Sequence, residues 1–224
     1  MPRIRVITFD LDNTLWNVQT VIGNAERRMR TWLTDNVPEV MELYVDGESV
    51  RHIREALVAE RPHIVHDLSK LREEVIFRSI RQCGHDAPSA RRLAQGAFAE
   101  FFEARHDVEY FDGALEALEA LSSNYTLGSL TNGNADAKKL GLDRFFSFSF
   151  DAAGIGIGKP APDMFEAALR HNRVSADAAV HIGDHPVDDI QAAQNVCMHT
   201  VWTNGPVQRS LRQSEVAVEP TVEI

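Results

Sequence analysis

The sequence predicts an α/β protein: a parallel sheet covered by helices, with a second block of helices inserted just after the first strand. Three observations carry this expectation. Apolar runs of strand length alternate with amphipathic stretches after residue 110. A similar apolar run opens the chain and ends in two aspartates. Between the two, residues 17–107 hold no convincing strand. Strand–helix alternation implies parallel strands joined by covering helices.

In chain order, the first strand is IRVITF at residues 4–9, delivering Asp10 and Asp12 on either side of one leucine. Four segments then read as amphipathic helices: VIGNAERRMRTWLTDN, GESVRHIREALVAERP, HDLSKLREEVIFRSIRQCG and SARRLAQGAFAEFFEARH. Pro38, Pro62, Pro88, Gly47 and Gly84 punctuate them. A helix over 113–123 follows, with Leu115, Leu118 and Leu121 on one face. YTLGSL (125–130) is the second strand, and FFSFSF (145–150) is a weaker one. Residues 162–172 place Phe165, Ala168 and Leu169 on a common helical face. AAVHIG (178–183) and MHTVW (198–202) are strands, separated by a helix over DDIQAAQNV with Ile190 and Ala193 inward. The tail RQSEVAVEPTVEI either ends in a late strand or lies loose.

Composition narrows the function. The 224 residues are 44% hydrophobic and 25% charged, as in an ordinary globular protein. A net charge of -10, with no basic block, argues against nucleic-acid binding, which needs a basic surface. The two cysteines, Cys83 and Cys197, have no CxxC spacing, which argues against a disulfide framework or zinc site and suits a reducing compartment. Both read as small buried hydrophobes. No apolar run approaches the roughly 20 residues of a membrane helix. MPRIR leads directly into a strand, unlike a signal peptide, so a cytoplasmic location is expected, with no membrane partner.

The chemistry gathers where strands end, the place where open parallel sheets bind ligands. The first strand gives Asp10, Asp12 and Thr14; the second gives Thr131-Asn132-Gly133; the HIG strand gives Asp184, with Asp188 and Asp189 opening the next helix. A loop adds Lys159 from GIGIGKPAPDMF. Asp10 and Asp184 repel each other unless a cation lies between them, and hard oxygens around a phosphate suit Mg²⁺. Asp10 is then a nucleophile at phosphorus and Asp12 an acid/base for the leaving oxygen and for water. Lys159 cancels charge on Asp10 and the phosphate, while Thr131 and Asn132 donate to phosphoryl oxygens. GIGIGKP is not a P-loop: three residues rather than four separate Gly154 from Gly158, and Pro160 follows the lysine. His66, Asp67 and Arg72 read as solvated helix residues rather than ligand contacts. Trp16 reads as a packing or hinge residue.

DLDNTLW, LTNGN, GKPAPDMF and GDHPVDD, taken together and in this order, resemble the four motifs of the haloacid dehalogenase-like hydrolases. The resemblance implies a Rossmann-like doubly wound core (residues 1–16 and 108–224) and an inserted α-helical cap (17–107). It implies Asp10 as nucleophile, Asp12 as general acid/base with its backbone carbonyl on the metal, and Thr131 and Lys159 on phosphate. It further implies Asp184 as a metal ligand and Asp189 supporting the metal, with Asp188 the alternative for that last role. The dehalogenases of the superfamily lack an acid where Asp12 stands, which favours a phosphatase acting on a small phosphorylated metabolite. VQTVIGNAE, PHIVHDLSKLREEVIFRSI and LTNGNAD followed by GLDRFF are similar to the branch that includes the riboflavin-pathway phosphatases. Those enzymes act on 5-amino-6-(5-phosphoribitylamino)uracil and FMN. The rival readings are a phosphotransferase or phosphomutase, a 2-haloacid dehalogenase, and an idle member serving as a binding module. Oligomeric state is not indicated.

Overall fold

The structure, a computed structural model, describes residues 3–204 and 219–224. The chain divides into two compact units, Met1–Val18 with Val108–Ile224, and Gln19–Asp107.

The Gln19–Asp107 unit is helical. Its helices are α1 (Val18–Asn36), α2 (Met41–Asp46), α3 (Glu48–Glu60), α4 (Leu68–Gln82) and α5 (Ala87–Ala104). Ala90, Ala94, Ala97, Phe101 and Ala104 repeat at four- and three-residue steps and bury one stripe of α5. They pack with Ala25, Met29 and Leu33 of α1 and with Ile76 and Ile80 of α4. Asp67 and Asp86 each accept a backbone N–H three residues on, from Lys70 and Ser89, and so fix the starts of α4 and α5. Pro88 therefore sits in the first turn of α5 rather than ahead of it, since a proline there forfeits no helical hydrogen bond. Helix α2 is absent from the sequence reading: six residues are too short to show a period.

The other unit is built on six parallel strands: β1 (Val6–Phe9), β2 (Thr126–Thr131), β3 (Phe146–Asp151), β4 (Ala179–Gly183), β5 (His199–Trp202) and β6 (Val222–Glu223). Their order is β3-β2-β1-β4-β5-β6. The chain builds outward from β1 through β2 to β3, then returns to the other side of β1 for β4. This is the doubly wound Rossmann arrangement, and its switch point is the crevice between β1 and β4. Every residue of β1 is buried, as expected of a central strand covered on both faces. At the edge, β3 alternates buried Phe146 and Phe148 with exposed Ser147 and Ser149, which explains its weaker apolar signal. Helices α6 (Ala114–Ser122), α7 (Ala152–Ile155), α8 (Asp163–Asn172) and α9 (Ala192–Asn195) connect the strands. Met164, Phe165 and Ala168 of α8 lie in one core with Val6, Leu130 and Ala179 from the sheet.

Two local expectations change, and one left open is resolved. The DDIQAAQNV segment forms a π-helical turn, Pro186–Gln191, followed by the short α9, and not one α-helix. Cys197 is exposed and Cys83 only partly covered, so neither is a fully buried hydrophobe. Cys197 occupies the tight turn before β5 with φ 63°, which turns it out of the core. Of the tail, residues 212–218 lie outside those described, and Val222–Glu223 adds to the sheet beside β5. Among the described residues, no helix is long and apolar enough to cross a membrane.

Candidate active site

The switch-point crevice receives its residues from four strand or loop ends. Asp10 continues the ladder past β1, its N–H donating to Ile182 O at 2.8 Å. The backbone then turns: the N–H groups of Thr14 and Leu15 both donate to Leu11 O. Asn13 takes φ 60°, a conformation asparagine tolerates, and its side-chain oxygen accepts the Val18 N–H at 3.2 Å. That turn brings Trp16, which is fully buried, against Asp12: the indole N–H donates to Asp12 Oδ1 at 2.9 Å. Tyr110 meets the Trp16 ring edge-on at 5.7 Å and donates its own hydroxyl to Leu140 O. Trp16 is thus a packing residue, as expected, but also a hydrogen-bond donor to Asp12.

Lys159 is the hub. Its ammonium, 5% exposed, donates to Asp10 Oδ1 at 2.7 Å, Asp189 Oδ1 at 2.6 Å and Leu130 O at 2.7 Å. Three N–H groups meet three acceptors, so the ammonium has no spare direction. Burial lowers the lysine pKa, but Asp10 and Asp189 outweigh it and hold the group firmly protonated. Asp10, Asp184 and Asp189 each bring a carboxylate oxygen within 4.8 Å of the other two. Of the acidic doublet, Asp189 turns inward and Asp188 stays at the rim, 3.8 Å from His185 Nδ1. Gly183 permits this: a Cβ there would stand 2.4 Å from the Asp189 carboxyl carbon.

The carboxylates are electrostatically unequal. Burial drives the Asp10 pKa well above the ordinary range, and Asp189 and Asp184 push the same way against Lys159. Burial and the neighbouring Asp189 raise Asp184 to about 7. Burial also acts to raise Asp189, but Lys159 and the hydrogen bond from His181 carry it far below the ordinary range. Two carboxyl groups held reluctant to ionise, beside hard oxygen donors, are the donor set that a divalent cation satisfies. The residues present therefore fit a divalent cation such as Mg²⁺, for which Asp10, Asp184 and Asp189 bring oxygens together.

At the end of β2, Thr131 lies two residues beyond Ser129, the register partner of Phe9. Thr131 is buried, and its Oγ1 accepts the Gly133 N–H at 2.9 Å, leaving the hydroxyl hydrogen to donate. Asn132 has a backbone partner that the sequence reading did not include. Its Nδ2 donates to Lys159 O at 2.8 Å, and its Oδ1 accepts the Lys159 N–H at 2.7 Å. One amide N–H and the amide oxygen clamp the lysine backbone, and the second N–H remains for the phosphoryl oxygen expected from the sequence. Gly158 leaves room for the clamp, because a Cβ there would stand 2.6 Å from Asn132 Oδ1. Asn132→Ala is expected to lower kcat about tenfold by loosening Lys159. It should also cost about 1–3 kcal/mol of stability for the unpaired backbone groups. Unchanged kcat and melting temperature would remove the clamp from this account.

Two residues escaped the sequence reading. His181, fully buried in β4, bridges Thr8 and Asp189. His185 donates its backbone N–H to Asp189 Oδ2 and accepts the Asp188 N–H on Nδ1. The one available signal was a histidine inside an otherwise apolar strand. In the helical unit, Asp67 caps α4 and pairs with Lys70, while Arg72 stacks on Phe101 at 3.8 Å; both have structural work there.

Residues 4–196 match the profile of the haloacid dehalogenase-like hydrolases. The chain is 29% identical to the 5-amino-6-(5-phospho-D-ribitylamino)uracil phosphatase YigB of Escherichia coli K12, over 90% of this chain and 84% of that protein. It is 37% identical to a glyceraldehyde 3-phosphate phosphatase of Pyrococcus abyssi, over 89% of this chain and 81% of that one. A crystal structure of a 2-haloacid dehalogenase from Pseudomonas syringae pv. Tomato DC3000 superimposes with a TM-score of 0.91 at 40% identity, covering 99% and 94% of the two chains.

Proposed function

The chain belongs to the haloacid dehalogenase-like hydrolases, and from that premise we propose that it is a Mg²⁺-dependent phosphomonoester hydrolase working through an aspartyl-phosphate on Asp10. The observation that carries the reading is the group of buried Asp10, Asp189 and Lys159 with half-buried Asp184, and Asp12 two residues beyond the nucleophile. Asp10, Asp184 and the Asp12 backbone carbonyl would hold Mg²⁺, which would supply positive charge favouring the ionised Asp10 and offsetting the phosphoryl oxygens. An Asp10 carboxylate oxygen attacks phosphorus and the ester P–O bond breaks. Asp12 gives its proton to the departing alcohol oxygen. Asp12, now a carboxylate, takes a proton from water; that water attacks phosphorus, breaks the P–O bond to Asp10 and releases inorganic phosphate. Lys159 holds Asp10 in line and balances charge throughout, while the Thr131 hydroxyl donates to a phosphoryl oxygen.

The dehalogenase reading is favoured by the 40% identical structural neighbour. Halide departs as a weak base and needs no proton, so that chemistry gives Asp12 and the second carboxylate Asp184 no task. Phosphoryl transfer uses both. The substrate class is a small phosphorylated metabolite. The named substrates of the relatives differ in skeleton and share a phosphate, so FMN and 5-amino-6-(5-phosphoribitylamino)uracil belong in a wider panel.

The test is phosphate release, with and without Mg²⁺, across sugar phosphates, phosphoserine, nucleotides, FMN and the ribitylaminouracil phosphate, alongside halide release from 2-haloacids. Mg²⁺-dependent phosphate release abolished by EDTA is expected. Metal-independent halide release without phosphate release refutes the reading. Isomerised product in place of free phosphate moves it to a mutase.

A pH dependence follows from Asp184. Its folded pKa, about 7, lies above the ordinary 3.8, so the metal-free folded protein keeps a proton that the unfolded chain has lost. Stability of the metal-free protein should therefore fall as pH rises from near 3.8 through about 7, and Asp10 acts in the same direction. Mg²⁺ binds the ionised carboxylates and should restore stability most at the upper end of that window. Calorimetry should register more proton release on Mg²⁺ binding near pH 6 than near pH 8, because Asp184 ionises between them; equal release at both would contradict the assignment.

A further inference from the structure

We propose that His181 is a positioning residue for this reaction: with Thr8 behind it, the imidazole fixes the Asp189 carboxylate and, through it, the aim of the Lys159 ammonium at Asp10. The inference rests on the phosphatase reading for its kinetic test, though not for its structural one.

The geometry runs as a chain through the interior. Thr8 and His181 are register partners on β1 and β4, so their side chains share one face of the sheet. Thr8 Oγ1 lies 2.9 Å from His181 Nδ1, and His181 Nε2 lies 3.2 Å from Asp189 Oδ1. Asp189 Oδ1 then takes the lysine ammonium, which takes Asp10. From Thr8 to Asp10, no member is more than 6% exposed.

The ammonium has three acceptors, and their mobility differs. Leu130 O is fixed by the β2 backbone. Asp189 projects from the π-helical turn on a side chain with two free torsions, and the lysine can be no better placed than this carboxylate. His185 N–H restrains Oδ2, which leaves rotation of Oδ1 to be stopped by another group. His181 is that group, and the Phe165 ring, edge-on at 5.0 Å and 90°, keeps the imidazole itself from turning.

The hydrogen-bond direction is determined by charge. A lone pair on Nε2 aimed at a carboxylate oxygen would be repulsive, so Nε2 carries the hydrogen and donates. Nδ1 then accepts from the Thr8 hydroxyl, in preference to the longer 3.3 Å alternative from Thr8 to Val180 O.

Two measurements test this. The first needs no turnover: long-range ¹H–¹⁵N spectra of the wild-type protein should report the Nε2–H tautomer at His181, and an Nδ1–H tautomer overturns the proposal. The second compares His181→Phe, which fills the ring's space without donating, and His181→Gln, whose amide can replace the Nε2 donor. His181→Phe should lower kcat about tenfold or more with KM within about twofold, and His181→Gln should recover most of the loss. In a Lys159→Met background, adding His181→Phe should cost less than about twofold, because the effect passes through the lysine. If His181→Phe fails to fold, Thr8→Val decides, since it keeps the strand's shape and removes the hydroxyl alone; about a threefold loss of kcat is expected. A wild-type kcat in a folded His181→Phe or, failing that, Thr8→Val protein, or an equal His181→Phe loss with and without Lys159, overturns the proposal. A wild-type protein that releases no phosphate fails the phosphatase reading instead, and the tautomer then decides the positioning claim.

Discussion

Asp10→Asn is expected to fold normally and to release phosphate about 10⁴-fold or more slowly than the parent. The amide is nearly the shape of the carboxylate but has no anionic oxygen to attack phosphorus, so chemistry fails where packing does not. The surroundings explain why the fold should survive. Lys159 keeps Asp189 and Leu130 O as acceptors, and the substitution removes one of three mutually repelling carboxyl groups. Asp10 also carries a high burial cost for its charge, which asparagine does not bear. Far-UV circular dichroism and the melting temperature should match the parent within a few degrees. Acid-quenched wild-type enzyme should carry one phosphoryl group, and Asp10→Asn none. A phosphorylated or active Asp10→Asn protein would place the nucleophile elsewhere.

Lys159→Met should damage both activity and stability. The ammonium faces Asp10 and Asp189, each with a side chain less than a tenth exposed, so its removal leaves two buried carboxylates without their cation. Breaking a buried pair from one side typically costs about 3–5 kcal/mol. In a domain of this size that corresponds to a melting temperature about 6–20 °C lower. Removing a preorganised charge at the reacting group should lower kcat about 10²–10³-fold. The sign of the pH response separates this from a simple packing defect. Without the lysine, the carboxylates hold their protons more tightly, so the deficit should shrink as pH falls and they become neutral. A Lys159→Met protein as stable as the parent, or equally impaired at pH near 5 and near 8, would contradict the hub role.

The sequence by itself determined the sheet, its parallel direction and the strand ends that carry the chemistry. Those signals are local. Val6, Ile7 and Phe9 make a strand buried on both faces whatever their partners, and Asp10 must emerge where that apolar run stops. The 110–204 alternation implies covering helices, hence parallel strands, hence a common edge for Asp10, Thr131 and Asp184. Tertiary structure alone decided how those groups pair. Asp188 and Asp189 are chemically identical neighbours, and the π-helical turn against Gly183 sends one inward and the other to the rim. A side-chain amide such as Asn132 can serve several partners, and one that it found is the Lys159 backbone, 27 residues along the chain. His181 was legible only as a histidine in an apolar strand until β4 settled beside β1 and put it against Thr8. Periodicity and turn chemistry act over a few residues and are written along the chain. Side-chain pairing across strands depends on register and on the direction each side chain leaves its turn, which are fixed when the sheet assembles.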